Sequence, residues 1–451
     1  MFLERTNEGA LLSRDRQEGG DLSLILLIKI YNLPELPNPD RIPSMKIRSI
    51  TYFLDPEYPL KEPKIKVAGD FLQIARPAFV DAGYEVQSAR MASVPFTHFL
   101  EVINADTLSN LAQQLESAAA EQGYAYVSMG PALPELPTSY ELIPEALSAT
   151  QNAFFSGLMT TQDGGVSLDA VHQCARVIQC ASSISPDGFA NLRFAALANV
   201  PAGSPFFPAA YHPGGEPVFA LATEAADLAV SAFSQAGSLE EARSNLISLM
   251  ETHAHAMTNV ARDIEKHTHA NFGGIDFSLA PFPSEKLSLG TAMERLGVPE
   301  LGVHGSLAAA AFLADTMDRA EFLRAGFSGL MLPVLEDAVL ARRAAQGSLG
   351  VMDLLLYSAV CGTGLDTIPL PGDTNAEQLS AVLLDLASLS LRLGKPLTAR
   401  LMPIPGKKAG DLTGFDFAYF ANSRVMPLHA TRLERFLGGD ETFTLHHRPP
   451  R

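Results

Sequence analysis

The chain has no tryptophan, only three cysteines, no basic cluster, and no apolar run long enough to cross a bilayer. The missing tryptophan excludes nothing. Cys174, Cys180 and Cys361 are an odd number without a C-x-x-C pair, which argues against a disulfide framework and for a reducing compartment, the cytoplasm. With 33 Lys and Arg against 50 Asp and Glu, the formal charge of -17 repels phosphodiester backbones and anionic bilayers, and no basic patch offsets it. Nucleic acid and membrane are therefore not expected partners. The most apolar run, Leu22 to Tyr31, is broken by Lys29 and falls short of the ~20 residues a spanning helix needs. Charges of both signs precede it and no small-residue cleavage site follows, so a secretory signal is a poor fit. No nucleophile elbow, Walker-type phosphate loop or dinucleotide glycine fingerprint is present either.

What is present is a soluble globular composition, 47% hydrophobic and 18% charged over 451 residues, long enough for one large barrel or two domains. The fold is expected to begin at Met45, which opens MKIRSITYFLDP, a strand followed by a turn. Residues 1–44 are read as an appendage, disordered or not translated in the native protein. From Met45 short β-rich runs alternate with longer helical ones, the pattern of an α/β fold with a parallel sheet or barrel. Ten strands are expected: Ile47–Phe53, Tyr84–Arg90, Tyr124–Met129, Phe154–Thr160, Phe194–Ala198, Val218–Thr223, Ile275–Leu279, Gly326–Leu332, Leu365–Leu370 and Leu397–Met402. Helices fill the gaps, among them one opened by Ser167, a long one opened by Ser238, one capped by Ser306, and Glu336–Gln346. No low-complexity linker divides the series, so residues 45–428 are read as one domain and 429–451 as a peripheral tail.

The stretch Cys361–Thr374, CGTGLDTIPLPGDT, concentrates a thiol, glycines, prolines and two acids between helical runs. Gly362 and Gly364 permit a turn other residues cannot make, and Asp373 or Thr374 stands where the next helix wants an N-cap. Cys361, just before that turn, is a candidate nucleophile or radical carrier, or else a small buried residue. Asp366, Asp373, Asp276, Glu336 and Asp337 lie at or beside strand ends, where barrel sites are assembled. Such oxygen donors suit Mg²⁺ or Ca²⁺, or paired acid-base work, while their plain alternatives are helix caps and salt bridges.

His212 and Glu216 flank the Gly214-Gly215 loop, whose backbone amides can approach a ligand, and His212 is the natural proton carrier; a surface β-turn is the alternative. Lys407 and Lys408, after the last strand, suit an anion together with Arg400, although a pair of loop lysines is commonly just solvated. His304 precedes a helix N-terminus, a place that attracts anions. The H-x-H pairs His253/His255 and His267/His269 sit on one helix, where residues two apart diverge.

Taken together, KIRSIT at Lys46–Thr51, FANLRFAALAN at Phe189–Asn199, HPGGEP at His212–Pro217, IDFSLAP at Ile275–Pro281, VHGSLAA at Val303–Ala309, GFSGLMLPVLEDA at Gly326–Ala338, GLDTIPLPGDT at Gly364–Thr374 and RLMPIPGKKAGD at Arg400–Asp411 resemble the landmarks of an uncharacterised family, domain of unknown function 711. The resemblance runs from about Met45 to about Leu428. It implies a ten-stranded β/α barrel related to the glycyl-radical enzymes of the pyruvate formate-lyase type and to the ribonucleotide reductases, in a homodimer. Those enzymes carry a cysteine on a loop inside the barrel and a glycyl radical near the C-terminus; here Phe415–Leu428 contains no glycine, so radical chemistry is not implied. The expectation is an enzyme acting on a small anionic metabolite, with Asp366, Asp373 and Glu336 as acid-base or cation-holding groups, His212 as proton carrier and Lys407 or Arg400 holding the substrate's charge. The alternative is a non-catalytic ligand- or metal-binding homodimer that keeps the barrel.

Overall fold

The computed structural model describes residues 45–98 and 104–447, so the appendage read over residues 1–44 and its apolar run lie outside it. Eleven strands are present among the described residues: β1 (Lys46–Leu54), β2 (Val86–Ser93), β3 (Tyr126–Ala132), β4 (Ala153–Leu158), β5 (Gly165–Ser167), β6 (Phe194–Ala198), β7 (Val218–Glu224), β8 (Asn271–Asp276), β9 (Gly364–Pro371), β10 (Leu397–Ile404) and β11 (Thr442–Thr444). Nine form one mostly parallel sheet in the order β8-β7-β1-β2-β3-β4-β6-β10-β9. β5 and β11 pair by themselves, which ties the C-terminal tail to the body.

Direction changes only twice in the large sheet, at β1/β7 and at β6/β10, which are antiparallel. Five strands therefore run one way at the centre and two on each flank run the other. The consequence for the site is geometric. The starts of β1 to β4 and the ends of β7 and β8 fall at the same end of the sheet.

Helices cover the outer face, and their boundaries follow from local chemistry. Ser167, Ser238 and Ser288 cap the helices Leu168–Ser182, Leu239–His267 and Leu289–Arg295 by accepting from the third residue on, and Glu240 and Glu241 meet the positive end of the long helix. Their apolar stripes join the outer strand residues in one large core that includes Ile47, Phe71, Leu115, Phe155, Leu246, Leu386 and Leu401. A smaller cluster of Phe53, Ala92, Phe154, Phe207, Ala210 and Ala220 fills the other face, with Phe207 and Ala210 supplied by the connection between β6 and β7. That connection is pinned along its length: Ser128 donates to Ala210 O at 2.6 Å, and the His212 N–H donates to Ser93 O at 2.9 Å.

The structure departs from the expected elements in five places. Gly326–Leu332 is not a strand, because Gly326 and Ser328 take left-handed backbone angles of +58° and +41° and fold the chain instead. β8 lies earlier than the expected Ile275–Leu279. The helix expected over Glu336–Gln346 starts at Ala338 with Asp337 as its cap, and the one expected to be capped by Ser306 begins at Ser306 after Gly305. Asn375, rather than Asp373 or Thr374, caps the helix Ala376–Leu393 by accepting from the Gln378 N–H. No helix among the described residues is long and apolar enough to cross a membrane.

Candidate functional site

A cavity of about 160 Å³ opens on the inner face of the sheet, where the starts of β1 to β4 meet the ends of β7 and β8. β1 contributes Arg48, β2 contributes Gln87, Ser88 and Arg90, and β3 and β4 contribute Tyr126 and Phe154. Thr223 and Asp276 come from the last turns of β7 and β8, Arg400 from the middle of β10, and Phe206 and Phe207 from the inner connection. Glu336, Phe417 and Tyr419 complete the wall.

Arginine dominates the electrostatics. Arg400 donates to Asp366 twice, Nε to Oδ1 at 2.6 Å and Nη2 to Oδ2 at 2.9 Å, and to Glu336 Oε1 at 2.8 Å. Arg48 pairs with the other oxygen of Glu336. The four side chains form a buried chain, Arg48–Glu336–Arg400–Asp366, in which every carboxylate oxygen is engaged. Burial pushes the Glu336 carboxyl up, but the guanidinium groups on either side win and hold it below its ordinary value. At Asp366 burial prevails and the carboxyl is raised against the pull of Arg400.

Arg90 is different. Its Nε donates to Ser88 Oγ at 3.1 Å, and among the described residues no carboxylate pairs with it. Its guanidinium lies 5.3 Å from the Phe207 ring centre and 5.8 Å from that of Tyr126, so two aromatic faces hold it in place. Burial, together with the positive charge of Arg48, brings it down to about 10, which still leaves it charged at neutral pH. Arg90 lines the cavity, and among the described residues its terminal N–H groups have no protein acceptor.

The other acids at this end of the sheet are already held by hydrogen bonds. Asp276 accepts from the N–H groups of Phe327 at 3.0 Å and Ser328 at 2.9 Å and from Ser278 Oγ at 2.5 Å, and burial pushes its carboxyl up. Glu224, at the end of β7, accepts from Gln87 Nε2 at 2.8 Å and is likewise raised by burial.

The structure thus brings Asp276, Glu336 and Arg400 into one cavity wall with Asp366 behind them, and places the other expected site residues elsewhere. Asp337 is buried away from the cavity, joining two helix starts. Asp373 is an exposed turn residue. Cys361 is buried beside a separate hollow, where Lys395 Nζ donates to its carbonyl. His212 packs against Phe53 near the end of β1, the far end of the sheet from Arg48, and donates from Nε2 to Glu216 O at 3.2 Å, which requires Nε2 to carry the proton. Burial lowers its pKa. Gly214, Gly215 and Glu216 face outward there, Lys407 and Lys408 lie on the loop after β10, and His304 is exposed. None of these lines the cavity.

Asp276, Glu336 and Asp337, which suited Mg²⁺ or Ca²⁺ by type, do not converge, and among the described residues no three His, Cys, Asp or Glu side chains form a metal-holding group. The inner connection, residues 199–217, holds no cysteine. Arg48, Arg90, Tyr126 and Tyr419 were not singled out from sequence. A signal existed for the first two: each is a charged residue in the middle of an otherwise buried strand, where a guanidinium needs a partner or a ligand.

A family model described as Uncharacterised ACR (DUF711) matches residues 42–419. The chain is similar to a UPF0210 protein of Acetivibrio thermocellus, 30% identical over 78% of this chain and 81% of the relative. It is also similar to a UPF0210 protein of Pyrobaculum aerophilum, 33% identical over 76% and 79%, and to one of Methanococcoides burtonii, 29% identical over 79% and 82%. The extent of these matches, from the first strand of the sheet to the last residue of the cavity wall, makes this chain a member of the DUF711 family, to which the name UPF0210 is attached in bacteria and archaea alike.

Proposed function

We propose that this protein binds a small anionic metabolite in the inner cavity and acts on it as an enzyme, without glycyl-radical chemistry. The observation that carries the reading is Arg90, a charged fork fixed between two rings in the cavity wall, with no carboxylate partner among the described residues. Structural arginines are paired; this one awaits an acceptor. Arg48 and Arg400 add positive potential, and Asp276, which lines the cavity and is raised by burial, is the group placed to exchange a proton with a bound molecule.

The reading includes a closed ring. The segment after the long helices runs between the two edge strands: Ala325 N–H donates to Ile275 O on β8 at 2.9 Å, and Val334 N–H donates to Asp366 O on β9 at 3.1 Å. Both bridges are parallel, so residues 324–334 supply an irregular tenth element in the place of the expected Gly326–Leu332 strand. With it, two five-stranded halves of opposite direction enclose the cavity.

One observation favours a binding protein over an enzyme: each acid in the wall already has hydrogen-bond partners. Incubating pure protein with a mixture of small carboxylates and phosphates, followed by mass spectrometry, separates the two. Consumption of one component, abolished by Arg90→Gln, is the expected result; retention of a component without turnover selects the binding reading, and failure to retain or convert any overturns both. The homodimer implied by the family resemblance is part of the proposal, and light scattering on the eluted peak tests it.

A further inference from the structure

The charges and the rings around Arg90 go further than "anion", and the following rests on the anion-binding reading above. Among the described residues that line the cavity, Arg90 is the guanidinium without a carboxylate partner, and one fork takes one carboxylate in a bidentate grip. The rest of the wall disfavours a second negative charge. Arg48 and Arg400 are already committed to Glu336 and Asp366, so the second charge of a dicarboxylate or a phosphate dianion would meet no further unpaired cation among the described residues and would face the Glu336 carboxylate. Beyond the fork the surface is aromatic: Tyr126, Phe154, Phe206, Phe207, Phe417 and Tyr419. Phe154 meets Tyr126 and Phe207 edge-on at 5.3 and 5.4 Å between ring centres, and Arg90 covers one face of each of the latter two, so a ring held beside the guanidinium meets this cluster at its edges. The volume agrees, since the cavity of about 160 Å³ is close to the ~150 Å³ apolar cavity that admits a benzene ring.

We infer that the ligand is a planar monocarboxylate whose carboxylate is gripped by Arg90 and whose body is an aromatic or equally flat ring seated among Tyr126, Phe154 and Phe207. A chain-like dicarboxylate of the same charge density lacks a body for the rings, and a neutral ring lacks a partner for the fork.

Benzoate is the probe, compared with benzamide, acetate, succinate and inorganic phosphate by calorimetric titration and thermal shift on the full chain. Benzoate is expected to raise the melting temperature in a concentration-dependent way and to bind at least tenfold more tightly than acetate, succinate, phosphate or benzamide. Arg90→Gln is expected to lose that binding by tenfold or more. Arg90→Lys, which keeps the charge and gives up the fork, is expected to lose most of it, so a misfolded Gln variant does not decide the matter. Tighter binding of succinate or phosphate than benzoate, dependent on Arg90, overturns this inference and leaves the anion site standing. Equal binding of benzoate and benzamide overturns it as well, and no binding by any of the anions overturns both.

Discussion

Arg400 and Asp366 stand side by side on β10 and β9 and share two near-parallel hydrogen bonds of 2.6 and 2.9 Å, both side chains almost fully buried. The pair sits where the β9/β10 register shifts, between Ala399 and Leu401, so a local irregularity of the ladder turns the guanidinium inward. Since the same guanidinium also neutralises Glu336, its loss leaves two buried carboxylates with one remaining cation, Arg48.

Removing Arg400 is therefore expected to cost far more than the contacts it makes. Breaking a buried ion pair from one side typically costs about 3–5 kcal/mol, most of it the desolvation of the stranded charge. Arg400→Leu is expected to fall in that range by urea unfolding, and Arg400→Leu combined with Asp366→Asn and Glu336→Gln to recover a large part of it. If the triple variant is no more stable than the single one, the loss comes from packing and not from stranded charge.

Asp337 is expected to matter for stability and not for metal. Its two oxygens accept from Ser288 Oγ and from the N–H groups of Leu289, Gly290, Val339 and Leu340 at 2.6 to 3.2 Å, joining the starts of two helices. Those bonds consume the lone pairs a cation would need. Asp337→Ala is expected to destabilise by ~3 kcal/mol, roughly two lost caps, whereas a chelator is expected to leave the melting temperature of the wild type unchanged. A chelator-induced drop that Asp337→Ala abolishes would place an ion on this residue.

Asp227 gives the protein a pH dependence. Burial pushes its carboxyl up to about 7, the neighbouring charge of Glu224 adds to this, and the N–H groups of its helix start oppose it. Between the usual carboxylate range and pH 7 the folded state holds a proton that the unfolded state has released. Its contribution is accordingly complete in acid and is lost as pH rises through about 7. Asp227→Asn is expected to unfold at higher urea than the wild type at pH 8, by ~2 kcal/mol, and to show little difference at pH 4.5. Equal midpoints at both values would refute the shift.

Much of the frame was legible because it depends on neighbours in sequence. Ser167 and Ser238 announce helices by capping a residue three positions on, and the β-rich run after Met45 is a strand under any tertiary arrangement. The strand expected at Gly326–Leu332 gives way to the left-handed angles of Gly326 and Ser328 and to a contact its own sequence does not announce: Gly329 approaches Gly362 so closely that a Cβ on either would lie 2.7 Å from the other's Cα. The pocket was half legible for the same cause. Asp276, Glu336 and Arg400 come from conspicuous polar motifs at strand ends, while Arg48 and Arg90 sit within strands and acquire meaning only when Glu336, 288 positions away from Arg48, is folded against one of them and aromatic rings, with no carboxylate among the described residues, against the other.

Two glycines from motifs singled out in the sequence separate the cost of backbone angle from the cost of space. Gly364 opens β9 at φ +103°, and a Cβ there would meet the Thr398 carbonyl oxygen on β10 and the Leu386 side chain at 3.3 Å. Gly214 sits at a similar φ of +98° in the exposed loop after His212, with nothing near its missing Cβ. Both alanine variants pay the left-handed penalty, about 1–2 kcal/mol. Only Gly364→Ala must also push two strands apart. It is expected to lose ~2 kcal/mol more than Gly214→Ala, in the range typical of overpacking, and, because β10 carries Arg400 into the cavity wall, to weaken Arg90-dependent anion binding as well. Should the two variants unfold at the same urea concentration, the close passage of β9 against β10 is looser than the structure has it, and Arg400 is held by its ion pairs alone.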